Sequence, residues 1–271
     1  MTTNTSPTIS SSYNRRSLLF ALLLIGPYVI SYLFVSFPLQ ATPFVFSTLI
    51  VCSAFPTLFF FYKWLGRNKA LTIFPFLVGL TYCIEGFGII TGFPYGYFYY
   101  TGILGFKLFD LVPWTVPFAF LPLLVGSFVV AKQFVRAPWK LVLLSAIFLV
   151  LVDLVLDPAL VLLNIWVWIT PGVYYGVPVT NYLGWFFTGL IASTILFYLL
   201  PKEKRDLAPT PVISVSLLFS VAFWSGYTLW SMLWIPFSIS LILLVIMFPI
   251  IGLTSRKLNW FHYQLQSKLD S

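Results

Sequence analysis

Three of the seven acidic residues in this chain stand inside long apolar runs: Glu85, Asp153 and Asp157. Asp153 and Asp157 belong to the stretch VDLVLDPALV and are four residues apart. On a helix that spacing puts both carboxyls on one face, with Cβ atoms about 5–6 Å apart. Two carboxyls so close in a low dielectric do not both ionise, which leaves a protonated acid beside a carboxylate. A proton donor and a proton acceptor are then held together at neutral pH. Pro158 follows at once. It has no N–H for the carbonyl of Leu154 and disfavours helical geometry at Asp157, so a kink exposing a carbonyl near the acids is expected. Polar groups between membrane helices can also act as mere glue, at about 1 kcal/mol or less each. Three carboxyls at one depth favour a functional reading, because intramembrane charge is costly.

The residue types that are missing narrow the chemistry further. The single histidine, His262, lies near the C-terminus, and no lysine falls within the interior of an expected span. Haem or histidine-based metal sites and a retinal-type Schiff base are therefore not expected. No Gly-rich phosphate loop or nucleophile elbow occurs. What remains is carboxyl, amide, phenol, indole and water, with neither metal nor cofactor implied. Cys52 and Cys83 sit in apolar runs and read as small core residues rather than a disulfide.

These groups must be positioned by elements that cross a bilayer. Of the 271 residues 60% are hydrophobic and 8% charged, against about 25% charged in soluble domains. Eight spans are expected, at 17–36, 43–62, 70–91, 113–131, 140–164, 181–200, 211–231 and 234–252, each long enough for a hydrocarbon core of roughly 30 Å. The fold class is thus an all-α polytopic transmembrane bundle. Its single domain covers 17–252, with 70–200 carrying the chemistry, between cytoplasmic tails 1–16 and 253–271. All Lys and Arg except Lys107 fall in one alternating set of connections and the tails, which places both termini in the cytoplasm. That scatter also makes the net charge of +8 a topology signal rather than a nucleic-acid footprint. The first apolar run exceeds a signal-peptide core and lacks a small-x-small site, so it is expected to be retained. The tight turn SMLWIPFS separates the last two spans; merging them would break the charge alternation.

At 1.5 Å per residue Glu85 lies roughly 22 Å, Asp153 roughly 20 Å and Asp157 roughly 25 Å from the inner edge, so all three share one layer. Asn181 and Trp185 open the sixth span near that layer. The outer connections 92–112 and 165–180 are rich in Gly, Pro, Tyr and Trp. They suit the interface, or fold back between helices where protein surrounds them. A carboxylic acid in such an aromatic hollow can protonate an electron-rich alkene. Ring faces then stabilise the carbocation, and a carboxylate activates water to add to it.

EGFGIITGFPYGYFYY (85–100), DLVLDP (153–158), WVW (166–168) and YYGVPVTNYLGW (174–185) together resemble the membrane carotenoid hydratases, of the γ-carotene and bisanhydrobacterioruberin hydratase type. The resemblance covers about 100 residues, from Glu85 to Trp185; spans 1, 2, 7 and 8 match only as apolar scaffold. It departs at Phe120, where a tryptophan is expected. It implies a cofactor-independent carotenoid 1,2-hydratase, a lyase adding water to a terminal isoprenoid double bond of an acyclic end to give a tertiary alcohol. Its expected setting is the cell membrane. Its expected partners are a lipid-soluble carotenoid, membrane lipids and other carotenoid-pathway enzymes, and no nucleic acid. One of Asp153 and Asp157 is the expected acid, Glu85 an acid or water-activating base, and Asn181 the residue that orients the water. Tyr95, Tyr97, Tyr100, Trp166, Trp168, Tyr174, Tyr175 and Trp185 are the expected substrate wall. Two rival readings stand beside this one: a proton-coupled transporter using the carboxyls as a relay, and a UbiA-like prenyltransferase using Asp153 and Asp157 to hold Mg²⁺.

Overall fold

A computed structural model describes residues 25–37 and 43–269, with 252–269 as backbone only. In chain order the elements are α1 (Ile25–Ser36), α2 (Pro43–Leu65), α3 (Arg67–Thr91), β1 (Phe98–Tyr100), a 3₁₀ turn (Gly102–Leu104), β2 (Lys107–Leu108), β3 (Val112–Pro113), α4 (Val116–Phe134), α5 (Pro138–Leu162), β4 (Trp166–Trp168), α6 (Val179–Leu199), α7 (Lys202–Arg205), a second 3₁₀ turn (Pro211–Ser214), α8 (Val215–Trp230) and α9 (Trp234–Leu269). Among the described residues seven helices are long and apolar enough to cross a membrane: α2 to α6, α8 with its leading turn, and α9. They match seven of the eight expected spans. Of the first span only α1 is described; its start at 17–24 and the tail 1–16 lie outside the described residues, as do Asp270 and Ser271. The helix carrying the last span runs on to Leu269.

In hydrocarbon every backbone N–H and C=O must bond within the protein, so these apolar runs have little choice but helix. Their arrangement follows from how much of each can be covered. In α4, 15 of 19 residues are buried; it is the central post, packed by α2, α3, α5 and α8. α5 lies along α6, and α8 along α9. The α5–α6 approach is close because Gly189 faces Ala146, where an added Cβ would stand 3.0 Å from the Ala146 Cα. Small residues let membrane helices touch backbone to backbone in this way. Between α8 and α9 the chain turns in three residues. Met232 takes a left-handed conformation (φ 58°), and the Leu233 N–H reaches back to the Thr228 carbonyl at 2.8 Å.

The two ends of the bundle differ chemically. At one end the basic connections meet: the Lys204 ammonium lies over the Trp64 ring at 5.2 Å, and the Lys132 ammonium donates to the Arg205 carbonyl. Lys132 lies within α4 and is only 1% exposed, and Lys63, Lys69 and Lys140 fall in the end turns of α2, α3 and α5, so lysines do stand inside spanning helices, contrary to expectation. The helices simply run further than their apolar cores. Lys132 is sixteen residues, about 24 Å, from Val116 at the start of α4. At the opposite end the two aromatic connections fold onto each other. β1 and β4 pair antiparallel, with Phe98 opposite Trp168, Tyr99 opposite Val167 and Tyr100 opposite Trp166. A second small ribbon joins β2 to β3. The bundle therefore carries a β cap that helical periodicity does not announce.

Cys52 and Cys83 are exposed on the apolar flanks of α2 and α3, not packed in the core. A helix on the rim of a membrane bundle turns one apolar face to lipid, and apolar sequence alone does not tell the two faces apart.

Tyr95 locks α3 to α6. Its ring slots between Gly88 and Gly184, where a Cβ would come within 2.6 Å of it on either side, and its hydroxyl bonds Thr188 Oγ1 at 2.6 Å. Adding a methyl group there overpacks the joint, at about 1–3 kcal/mol. Gly88→Ala and Gly184→Ala are each expected to lower the thermal unfolding midpoint of the detergent-solubilised protein. Gly79→Ala, with open space around it, is expected not to.

Candidate active site

Glu85 sits on the last two turns of α3, which ends at Gly92 in a left-handed cap (φ 72°). Asp153 and Asp157 sit on successive turns of α5. The exposures of the three residues are 2%, 5% and 2%. All three line one cavity of about 240 Å³. The aspartate pair and Glu85 thus converge from different helices on a shared hollow.

Each carboxyl is treated differently by its surroundings. Asn181, in the first turn of α6, donates its amide N–H to Asp157 Oδ2 at 2.6 Å. Tyr100, delivered by β1, donates to Glu85 Oε2 at 3.0 Å. Burial, and then the charge of Glu85, hold the Tyr100 phenol well above its ordinary range, so it remains a donor. Asp153 Oδ2 is buried with no hydrogen-bond partner in the protein. Trp166 Nε1, which also faces the cavity, is likewise unpartnered. A hydrogen bond from a neighbouring side chain fixes each of Asp157 and Glu85 in place, while Asp153 Oδ2 is left to interact with whatever occupies the hollow.

Pro158 acts as the sequence implies, but the helix does not break. α5 continues to Leu162. The Leu154 carbonyl that loses its helical partner accepts the Tyr174 hydroxyl at 3.1 Å. The expected open carbonyl is thus closed by a residue of the 165–180 connection.

The aromatic residues sort into rows. Tyr100, Trp166 and Trp185 line the cavity. Tyr100 and Trp166 are directly opposed across the β1–β4 ladder, their rings edge-to-face at 5.9 Å. Behind them pack Tyr95, 5.1 Å from Trp185, and Trp168, whose indole N–H reaches the Tyr95 carbonyl at 3.3 Å. Tyr174 braces α5 as described, with Tyr175 edge-on behind it at 5.0 Å. Tyr97 does not line the cavity. It is 57% exposed, with its ring over Gly92. Asn181 reaches Asp157 and does not line the hollow.

Sequence reasoning missed part of the wall. Phe120, noted only as a departure from the expected tryptophan, lines the cavity and packs at 5.4 Å on Trp185. Phe34 of α1, Phe46 of α2 and Phe223 and Trp224 of α8 also line it. These helices are more than scaffold. A phenylalanine among many in an apolar helix carries no distinguishing sequence signal.

Among the described residues no group of three or more His, Cys, Asp or Glu is placed to hold a metal ion. The family model described as "Carotenoid biosynthesis protein" matches residues 44–247. Bisanhydrobacterioruberin hydratase of Haloarcula japonica is 35% identical over 176 residues, covering 62% of this chain and 60% of that protein. The chain thus aligns with about three-fifths of the length of this curated relative. No solved structure matches the chain.

Removing either donor leaves a buried carboxyl unsupported, at about 1–3 kcal/mol. Asn181→Leu and Tyr100→Phe are therefore expected to lower the unfolding midpoint in detergent. Tyr97→Phe, on the outer surface, is expected to leave it unchanged.

Proposed function

The chain belongs to the carotenoid biosynthesis protein family and is a multi-pass membrane protein; from that premise we propose that it adds water to a terminal isoprenoid double bond of an acyclic carotenoid end. The observation that carries this reading is the convergence of Glu85, Asp153 and Asp157 in one hollow whose other walls are mainly aromatic or aliphatic, with Ser53, Ser216 and Ser220 on the α2 and α8 side. The hydratase name of the Haloarcula japonica relative supports it.

The reaction divides into two proton movements. Asp153, whose Oδ2 has no partner in the protein, gives its proton to the less substituted carbon of the double bond. The tertiary cation that forms at the other carbon faces the rings of Tyr100, Trp166 and Trp185. Such contacts contribute about 2 kcal/mol each when desolvated. Water adds to the cation as a carboxylate takes one of its protons. Asp157, steadied by Asn181, is that base, and Glu85, held by Tyr100, orients the water from the facing helix. The C=C π bond is lost, one C–H and one C–O bond form, and the proton taken by Asp157 returns to Asp153 across one turn of α5. The enzyme ends as it began, and no cofactor enters this balance. The Trp166 indole N–H is available to hold the oxygen of the new alcohol.

We place this activity in the cell membrane, with the carotene drawn from lipid and shared with other enzymes that modify it. The transporter and prenyltransferase readings find no support in the family or in its named relative.

Expression in a host that accumulates acyclic carotenes tests the reading: mass analysis is expected to show pigment heavier by one water per reacted end. In deuterated water one deuterium is expected on carbon beside the new alcohol. General acid–base catalysis is worth about 100- to 10,000-fold, so Asp153→Asn and Asp157→Asn are expected to cut hydrated pigment at least about 100-fold. Unchanged product in both variants, at equal protein level, would remove the carboxyl mechanism.

A further inference from the structure

The hollow has a side that the acids do not occupy. α3, α5 and α6 supply Glu85, the aspartate pair and Trp185, and every carboxyl there is buried. On the other side α1, α2 and α8 supply mostly apolar residues, with Ser53, Ser216 and Ser220 among them. Two of the apolar ones, Ile30 and Leu49, line the cavity and are also exposed on the apolar flank of the bundle. The hollow therefore reaches the protein surface at the height of the hydrocarbon. At its polar end it is covered by Tyr100 and Trp166 of the β1–β4 ribbon.

At about 240 Å³ the cavity is smaller than the roughly 300–1,000 Å³ that encloses a drug-sized ligand. A long polyene does not fit inside. Its remainder must project, and a mouth facing lipid lets hydrocarbon project without meeting water.

Three rings stand at this mouth. Phe34 of α1 packs edge-to-face against Phe46 of α2 at 5.6 Å and against Phe223 of α8 at 5.8 Å. Edge-to-face pairs are worth about 0.5–1.5 kcal/mol each, so parting them is a small cost. Elsewhere α1 is fastened to α8. Tyr28 and Ser31 pack on Gly226, the Tyr28 hydroxyl bonds Ser225 Oγ, and Tyr32 packs on Trp230 at 5.3 Å. The helix is thus anchored on one neighbour while Phe34 bridges to the other.

The geometry points to a lateral gate, Phe34 closing against Phe46 and Phe223, through which one slim acyclic end slides from lipid to the acids while the rest of the polyene stays outside. This rests on the carotenoid reading of the site. It makes Phe34 a specificity-determining residue: a linear end passes between the rings, and a cyclised end meets them. The two ends of a symmetric substrate must be presented one after the other, by withdrawal and reinsertion.

The test uses the full chain in lipid vesicles, with Cys52→Ser, Cys83→Ser and Ser220→Cys. Ser220 lines the cavity on α8 one turn before Phe223. Asp153→Asn is added to stop turnover. A lipid-soluble maleimide reports access to the new thiol. An added acyclic carotene is expected to slow labelling about tenfold, and Phe34→Trp to slow it by a similar factor without carotene. Phe34→Leu, which widens the collar, is expected to accelerate labelling. Labelling indifferent to the carotene and to both Phe34 substitutions would overturn the gate. Protection by the carotene with no water gained by any pigment in the producing host would uphold the gate and sink the hydratase reading. Water gained without protection would do the reverse.

Discussion

Hydrocarbon offers no hydrogen bonds, so every polar group sunk in it must find its partner within the protein. This constraint organises the acid end of the molecule. Three demands arise on the helices: the carboxyls of Glu85 and Asp157, and the Leu154 carbonyl left open by Pro158. Three donors meet them: Tyr100, Asn181 and Tyr174. None of these donors lies within a helix interior. Tyr100 comes from a strand, Tyr174 from a loop and Asn181 from the first turn of α6. The connections are thereby tied to the helices they cap, and the carboxyls are held by the connections. Of the buried side-chain atoms left without a partner among the described residues, Asp153 Oδ2 and Trp166 Nε1 belong to residues on the wall of the cavity, and the chemistry proposed here is assigned to that gap.

Much of the scaffold was legible in the sequence. Apolar runs of bilayer length became helices, and the basic connections proved to gather at one end, where Lys204, Trp64, Lys132 and Arg205 meet. The three carboxyls were visible as oddities of burial before any geometry was known. What stayed hidden has a common physical cause. Helical periodicity does not reveal which apolar face meets lipid, so Cys52 and Cys83 were turned the wrong way, and Phe34, Phe46 and Phe223 did not stand out. The pairing of β1 with β4 joins segments some 70 residues apart, beyond any local pattern. Without that pairing, Tyr97, Tyr99 and Tyr100 cannot be sorted, although only Tyr100 meets a carboxyl.

The family match, 44–247, reaches beyond the blocks that first suggested it. It takes in α2 and α8, whose phenylalanines complete the cavity wall. α1 precedes the matched region, yet it contributes Ile30 and Phe34 to the same wall. The acids and their donors thus sit within the shared portion, while one side of the lipid-facing mouth is built by a helix outside it.

The β1–β4 ladder has a consequence for how this chain can vary. Side chains along a strand alternate between faces, so a shift of one position exchanges inside for outside. A single-residue deletion or duplication in 92–98 or 165–168 that slid the ladder by one step would swing Tyr100 or Trp166 out of the hollow and bring Tyr99 or Val167 in. Glu85 would lose its donor without any change to a helix. Loop length at this end is therefore under stricter discipline than loop composition, the opposite of what surface connections usually tolerate.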